Sequence, residues 1–300
     1  MRTQSLRITD FQPRPTLTLW RGPEDDVESR AEPSAGRIIL WTTVIPLAVL
    51  LVLTAMFHWT AVDVNVSRLF YGRPHDAWPR QNAEPWMALY HYGPFPGLLL
   101  GCGGAGLALV SLLWERWKPW RSTGLFLAAA LALGPGLIVN GIVKPQWGRP
   151  RPAQIRAFGG DKEFVGVWGF GAPGVSKSFP SGHASMGFYL MAPAFLLYPR
   201  RPRWATAFLI SGLLGGGLLG LARIAQGQHF LSDVIWSGGL VYFSCLLVGC
   251  LIRQLPAGEV ESPEAAAEPV ILRWDGRHDA ETEETHDDSR TEPRIRRRAA

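Results

Sequence analysis

Charge is scarce through most of this chain. Only 18% of the 300 residues are Asp, Glu, Lys or Arg, and more than half of those fall before residue 38 or after residue 252. A water-soluble domain of that size needs charged residues over its whole exterior, so the middle of the chain is not one. Cysteine is equally sparse. Cys102, Cys245 and Cys250 are an odd set, all within apolar runs, at spacings that suit neither a disulfide framework nor a thiolate metal site. Free thiols buried in apolar surroundings are the expectation. Acidic excess is also missing. The net charge is +5, but the basic residues are scattered around the apolar runs and near the end of the chain. That scatter excludes a nucleic-acid-binding stripe and fits anionic lipid headgroups at a membrane surface.

What the chain has in abundance is apolar runs. They lie near 38–57, 95–113, 123–143, 184–198, 205–222 and 233–252. Most approach the roughly 20 residues needed to cross a bilayer as a helix. The fourth is short and contains Pro193, and extends at its start through Gly182 and His183. The pattern predicts an all-α fold, a bundle of six transmembrane helices spanning 37–253, between a disordered lead-in (1–36) and a charged, disordered tail (254–300). The lead-in is too long and too acidic for a signal peptide, so the first run is expected to be retained. Short basic links at Arg116, Lys118, Arg121 and at Arg200, Arg201, Arg203 belong on the cytoplasmic side. Both termini then lie inside as well, and the loops 58–94, 144–183 and 223–232 face the periplasm. In 58–94, Val62, Val66, Leu69 and Phe70 recur at helical spacing among many aromatic residues. An amphipathic segment on the outer membrane surface is predicted there, with the aromatics as an interfacial belt. Glycine clusters at 97–106 and 212–220 read as close helix-packing positions.

Nearly every group able to do chemistry lies on two of those loops. Lys144-Pro-Gln-Trp-Gly-Arg-Pro-Arg151-Pro closes the third run, Pro180-Ser181-Gly182-His183 precedes the fourth, and Arg223 is followed by His229 and Asp233. Lys144, Arg151 and Arg223 are fixed cations, and arginine offers a planar fork of donors that suits phosphate oxygens. Two histidines exchange protons near neutrality. On a helix, Asp233 would share a face with His229 and fix its tautomer. Together these groups describe phosphoryl transfer through a nucleophilic histidine, with a second histidine as general acid. Two histidines and a carboxylate can also bind zinc. Three neighbouring cations repel a divalent ion and attract a dianion, so no metal and no cofactor are expected. Arg149 is a further cation, placed behind the others or against a headgroup.

The three clusters, in this order and spacing, resemble the three-part signature of the type 2 phosphatidic acid phosphatase family, whose site plan is shared with vanadium-dependent haloperoxidases. The resemblance implies that Lys144, Arg151, Ser181, Gly182 and Arg223 bind the phosphate. It further implies that His229 attacks phosphorus, Asp233 orients it and His183 protonates the leaving oxygen. Ala222 departs from the pattern, where many members carry Ser. One hydroxyl contact is lost and no principal group. The implied activity is an inner-membrane lipid phosphatase with a periplasmic active site, acting on an anionic phospholipid or glycolipid. Lipid A is favoured over undecaprenyl diphosphate, phosphatidylglycerophosphate or phosphatidic acid. Transfer of phosphate to an acceptor lipid, or a non-catalytic membrane scaffold, are the competing readings.

Overall fold

The computed structural model describes residues 35–72, 77–198 and 200–254. The lead-in before residue 35, His75 and the tail beyond 254 lie outside the described residues. Among the described residues the structure is all-helical, with one isolated bridge between Ile155 and Lys162. Five helices are long and apolar enough to cross a membrane. They are α1 (Gly36–Trp59), α3 (Trp86–Leu113), α4 (121–147), α6 (Pro202–Ala225) and α7 (Leu231–Gln254). A short helix, α2 (Val62–Arg68), follows α1. The chain is a multi-pass membrane protein.

The fourth predicted crossing has a different character. It is a broken helix, α5, made of Gly182–Phe188, a 3₁₀ turn at Tyr189–Met191 and Ala192–Leu197. Pro193 cannot donate a backbone hydrogen bond within a continuous helix, and the turn before it absorbs the break. Ala184, Phe188, Tyr189, Met191 and Ala192 are all buried. This short element runs inside the bundle rather than along its edge, and the Tyr189 hydroxyl donates to the Leu127 carbonyl at 2.6 Å.

Small residues let the helices approach closely. Between α3 and α4, a Cβ on Gly104 would lie 2.5 Å from that of Leu127, and one on Gly124 would lie 2.6 Å from the Ala108 nitrogen. Between α5 and α6, Gly216 faces the Phe188 ring and Gly212 faces Met191. In hydrocarbon, where apolar contact with lipid costs nothing, such close packing is what holds helices together. Outward positions such as Val52, Leu99, Leu109, Leu213 and Leu214 are exposed and apolar, as lipid contact requires. Cys245 is buried as expected, whereas Cys102 and Cys250 lie on outward faces. An apolar run in sequence does not distinguish a buried thiol from an outward-facing one. All three are free.

Two local features carry the chain from the bundle to the loops. Residues Ala132–Val143 of α4 wind as a π-helix around Pro135, and Asn140 Nδ2 donates to the Pro135 carbonyl at 2.7 Å. Pro135 has no N–H to give, and the wider turn accommodates that loss. Gly148 then ends the helix with φ +64°, where a Cβ would strike the Ala172 backbone at 2.4 Å. The following loop, 148–181, folds onto the bundle through short turns and buries Ile155, Phe158 and Val167. Segment 58–94 is more than an interfacial belt. Trp59 is 79% exposed, as a belt residue would be, but Trp78 is buried against Phe158 and Tyr71. Val66 and Phe70 of the amphipathic segment pack onto the bundle core.

Gly187 tests the packing directly, because a Cβ there meets the Gly215 backbone at 2.5 Å, while Gly103 has open space. Gly187→Ala should lower stability by about 1–3 kcal/mol, read as a lower unfolding temperature in detergent. Gly103→Ala should leave that temperature unchanged.

Candidate active site

Lys144 sits in the last turn of α4 and Ser181 caps the start of α5, its Oγ accepting from the Ala184 N–H at 3.4 Å. The two ends meet at Gly182. A methyl group there would lie 3.2 Å from Lys144 Nζ and 2.5 Å from Asn140 Oδ1. Glycine is therefore required by space, and the free amide end of α5 is held beside the lysine. Ser181 is fixed from behind: its N–H donates to the Asp233 carbonyl at 3.3 Å, and Ser237 Oγ donates to its carbonyl at 2.9 Å.

Arg151 is extended, flanked by Pro150 and Pro152, and its Nη1 donates to Gln228 Oε1 at 2.6 Å. Arg223, at the end of α6, donates from Nη1 to Gln226 Oε1 at 2.6 Å, and its buried Nε has no hydrogen-bond partner among the described residues. Both arginines act on the charge of Lys144, as does Lys177 from the loop that covers the site. Lys177 was not legible as a site residue, since nothing in its sequence neighbourhood sets it apart. Tyr90 was also missed. Its ring stacks on His183 with centroids 4.7 Å apart and planes at 23°, and the Arg223 guanidinium lies 4.6 Å from the same ring. One aromatic shelf thus positions a histidine and a cation.

His229 lies in the link between α6 and α7 and is almost wholly buried. Burial pushes its pKa down to about 4; the nearby Asp233 carboxylate opposes this, and the charges of Lys144 and Arg223 add to it. The imidazole is consequently neutral at pH 7, the form a nucleophile requires. His229 Nδ1 stands 3.6 Å from Asp233 Oδ2. That is longer than a hydrogen bond, so the carboxylate acts on the ring as a close charge without a formed bond. His183 is also lowered to about 4, first by burial and then by Arg223, His229 and Lys144. Its ring donates to the Tyr90 backbone, which opposes the shift. Both histidines are neutral at pH 7, because burial and the charges of Lys144 and Arg223 disfavour their protonated forms.

Arg149 takes no part in that cationic surface and makes no headgroup contact. It is fully buried, and its Nη1 donates to Asp233 Oδ1 at 2.5 Å and to Ser232 Oγ at 2.7 Å. Its Nη2 pairs with Asp63 Oδ2 at 2.8 Å, and its Nε donates to the Val165 carbonyl at 2.8 Å. The rings of Phe164 and Phe230 cover the guanidinium. Asp63, on α2, was missed by sequence reasoning; the available signal was a lone acid within the amphipathic Val62–Phe70 pattern. Among the described residues no group of three or more His, Cys, Asp and Glu lies close enough to hold a metal ion.

All eight site residues predicted from sequence converge at one end of the bundle, drawn from α4, α5, α6, α7 and the loops between them. The same region carries the sequence likeness. Residues 123–255 match the PAP2 superfamily. Over 148 residues the chain is 42% identical to a lipid A 4'-phosphatase of Francisella tularensis subsp. novicida, covering 49% of this chain and 66% of that one. It is 29% identical over 176 residues to a lipid A 1-phosphatase of Rhizobium etli, covering 54% of this chain and 68% of the relative. The chain spans between 46% and 68% of the lengths of these and related curated proteins. A solved PAP2-type phosphatidylglycerolphosphate phosphatase from Bacillus subtilis is 21% identical, with a TM-score of 0.42 over 72% of this chain and 98% of its own.

Within this site the Tyr90 shelf is open to a direct test. Tyr90→Ala should weaken binding of inorganic phosphate roughly two- to tenfold, measured by calorimetry on the detergent-purified protein. Tyr90→Phe keeps the ring and should bind within about twofold of the parent.

Proposed function

We propose that this protein is a metal-independent membrane phosphatase acting on a phosphorylated lipid, with the 4'-phosphate of lipid A as the favoured substrate. The observation that carries the reading is the meeting of three fixed cations, a free helix amide end and two neutral histidines, one buried and one half-buried, at one end of a membrane bundle. A dianionic phosphate is the ligand such a charge set accepts. A lipid substrate is supported by a groove of about 350 Å³ between α3 and α4, lined by Leu98, Ala105, Leu131 and Met186 and reaching Asn140 beside Gly182. The 4'-position is favoured because the relative named for it is 42% identical, against 29% for the relative named for the 1-position.

In the proposed cycle Lys144, Arg151, Arg223 and the Ser181–Gly182 end of α5 hold the phosphate oxygens. His229 Nε2, opposite the nitrogen that faces Asp233, attacks phosphorus. The bond from phosphorus to the sugar oxygen breaks, and that oxygen takes a proton from His183. Charge develops on the equatorial oxygens in the transition state, where the three cations stabilise it. Water then attacks the phosphohistidine, giving a proton to His183, which passes it to the departing phosphate, and inorganic phosphate leaves with both histidines restored to their neutral forms. The proton on His183 must arrive with the substrate, because the ring is neutral at pH 7 before binding. A monoanionic phosphate, whose last pKa is about 6, supplies it.

Orientation follows the basic links. Arg116 and Lys118 between α3 and α4, and Arg201 and Arg203 before and within the first turn of α6, lie at the ends away from the site. By the positive-inside rule those ends face the cytoplasm. The site then faces the periplasm of a bacterial inner membrane, and both termini lie in the cytoplasm. On this reading, 37–253 is the phosphatase domain.

Two outcomes are expected. Detergent-purified protein should release phosphate from lipid A in the presence of EDTA, and much more slowly from the product already lacking the 4'-phosphate; His229→Ala should stop release while eluting as a folded species. Equal release from 1- and 4'-phosphates would remove the positional preference, and no release from any phospholipid would overturn the reading. The second outcome concerns pH. His229 must be neutral and one proton must be shared between phosphate and His183, so kcat/KM should fall below about pH 4. It should fall again above about pH 6, as the substrate loses its last proton. A flat profile from pH 4 to 8 would remove the proton-sharing step.

A further inference from the structure

We infer that Asp63, acting through Arg149, is a positioning residue for the nucleophile, a role that rests on the phosphatase reading above. Asp63 touches neither His229 nor the phosphate site. Its Oδ1 accepts the Ser232 N–H at 2.9 Å, and its Oδ2 accepts the Ser232 hydroxyl at 2.5 Å and Arg149 Nη2 at 2.8 Å. Arg149 passes the constraint on, holding Asp233 Oδ1 from one side. Asp233 Oδ2 is held from the other side by Ser178 Oγ at 2.6 Å and the Phe230 N–H at 2.7 Å. The carboxylate facing His229 therefore has no freedom to turn. Three segments distant in sequence, α2, the 148–181 loop and the start of α7, are tied together to achieve this.

Charge gives the arrangement its second effect. Asp63, Arg149 and Asp233 form a buried set with two negative groups and one positive group. Stability alone gives little reason to keep such a set, since apolar side chains of similar volume fill a core at no desolvation cost. The surplus negative charge lies 3.6 Å from His229 Nδ1. Positive charge develops on that ring as its far nitrogen bonds to phosphorus, and a fixed negative charge there stabilises the transition state more than the ground state. Without the Asp63 charge, Arg149 neutralises Asp233 and that stabilisation is lost.

The test compares Asp63→Asn with the parent protein in detergent, using lipid A and the soluble ester p-nitrophenyl phosphate. Inorganic phosphate is the competitive inhibitor. The expected result is a kcat on the order of tenfold to a hundredfold lower on both substrates, as when a residue that orients a functional group from one bond further out is lost. Phosphate inhibition should stay within about threefold, because Lys144, Arg151 and Arg223 do not contact Asp63. Ser232→Ala loosens Asp63 without removing its charge. It should show the same split at smaller size, and it carries the test if Asp63→Asn fails to fold. An unchanged kcat per folded molecule, or equal losses in kcat and phosphate inhibition, would overturn the positioning role. Parent protein inert toward both substrates would overturn the phosphatase reading and this role with it. That outcome is distinct from an active parent matched by an equally active variant.

Discussion

Arg149 is a guanidinium with no access to water, and the end of the bundle that holds the site is assembled around its requirements. Taking such a cation out of water costs several kcal/mol unless its donors are matched. Here they reach two carboxylates, a hydroxyl and a backbone carbonyl, while two aromatic rings cover its faces. The partners come from three separate parts of the chain. The surface helix after the first span, the covering loop and the start of the last helix are all held by one side chain. Removing either acid strips the guanidinium of a partner that ties one of these segments to the others.

The site depends on a second imbalance. Lys144, Arg151 and Arg223 lie at one end of the bundle, and the imidazoles of His183 and His229 are depressed by burial and by the charges of Lys144 and Arg223. The site is thus short of negative charge and holds neutral bases. Both conditions favour a phosphate that brings charge and proton together. Asp233 works against this field at the nucleophile alone, which separates the roles of two otherwise similar histidines. Tyr90 contributes no charge and fixes the general acid and one cation by stacking.

Membrane architecture explains why these groups meet. Helices in lipid satisfy their own backbone and pack through small residues, so the chemistry is confined to where helices end. The π-helical turn of α4 and the left-handed turn at Gly148 deliver Lys144 and Arg151 to that level. α5 gives up length for position. Too short for a regular crossing, it places its free amide end and His183 beside Lys144.

Much of this was legible in the sequence. Apolar runs of about 20 residues define membrane helices because hydrocarbon tolerates no unpaired backbone. The spacing of Lys144, Arg151, Ser181, Gly182, His183, Arg223, His229 and Asp233 points to a phosphate site, since few other chemistries need that set. Pro193 already marked the fourth run as irregular. The sequence did not show Asp63, Tyr90 or the inward role of Arg149. A lone acid on an amphipathic segment and a tyrosine among interfacial aromatics look the same whether they face lipid, water or a neighbour. Only tertiary packing distinguishes those cases. It brings α2 against α7, and α3 against α5, across separations of more than 90 residues. It also decides which cysteines face lipid, for an apolar neighbourhood in sequence has two sides in space. The sequence determined which groups do the chemistry, because their types and spacing are properties of the chain itself. The tertiary structure decided which groups hold them in place, because that depends on contacts between segments with no fixed relation along the chain.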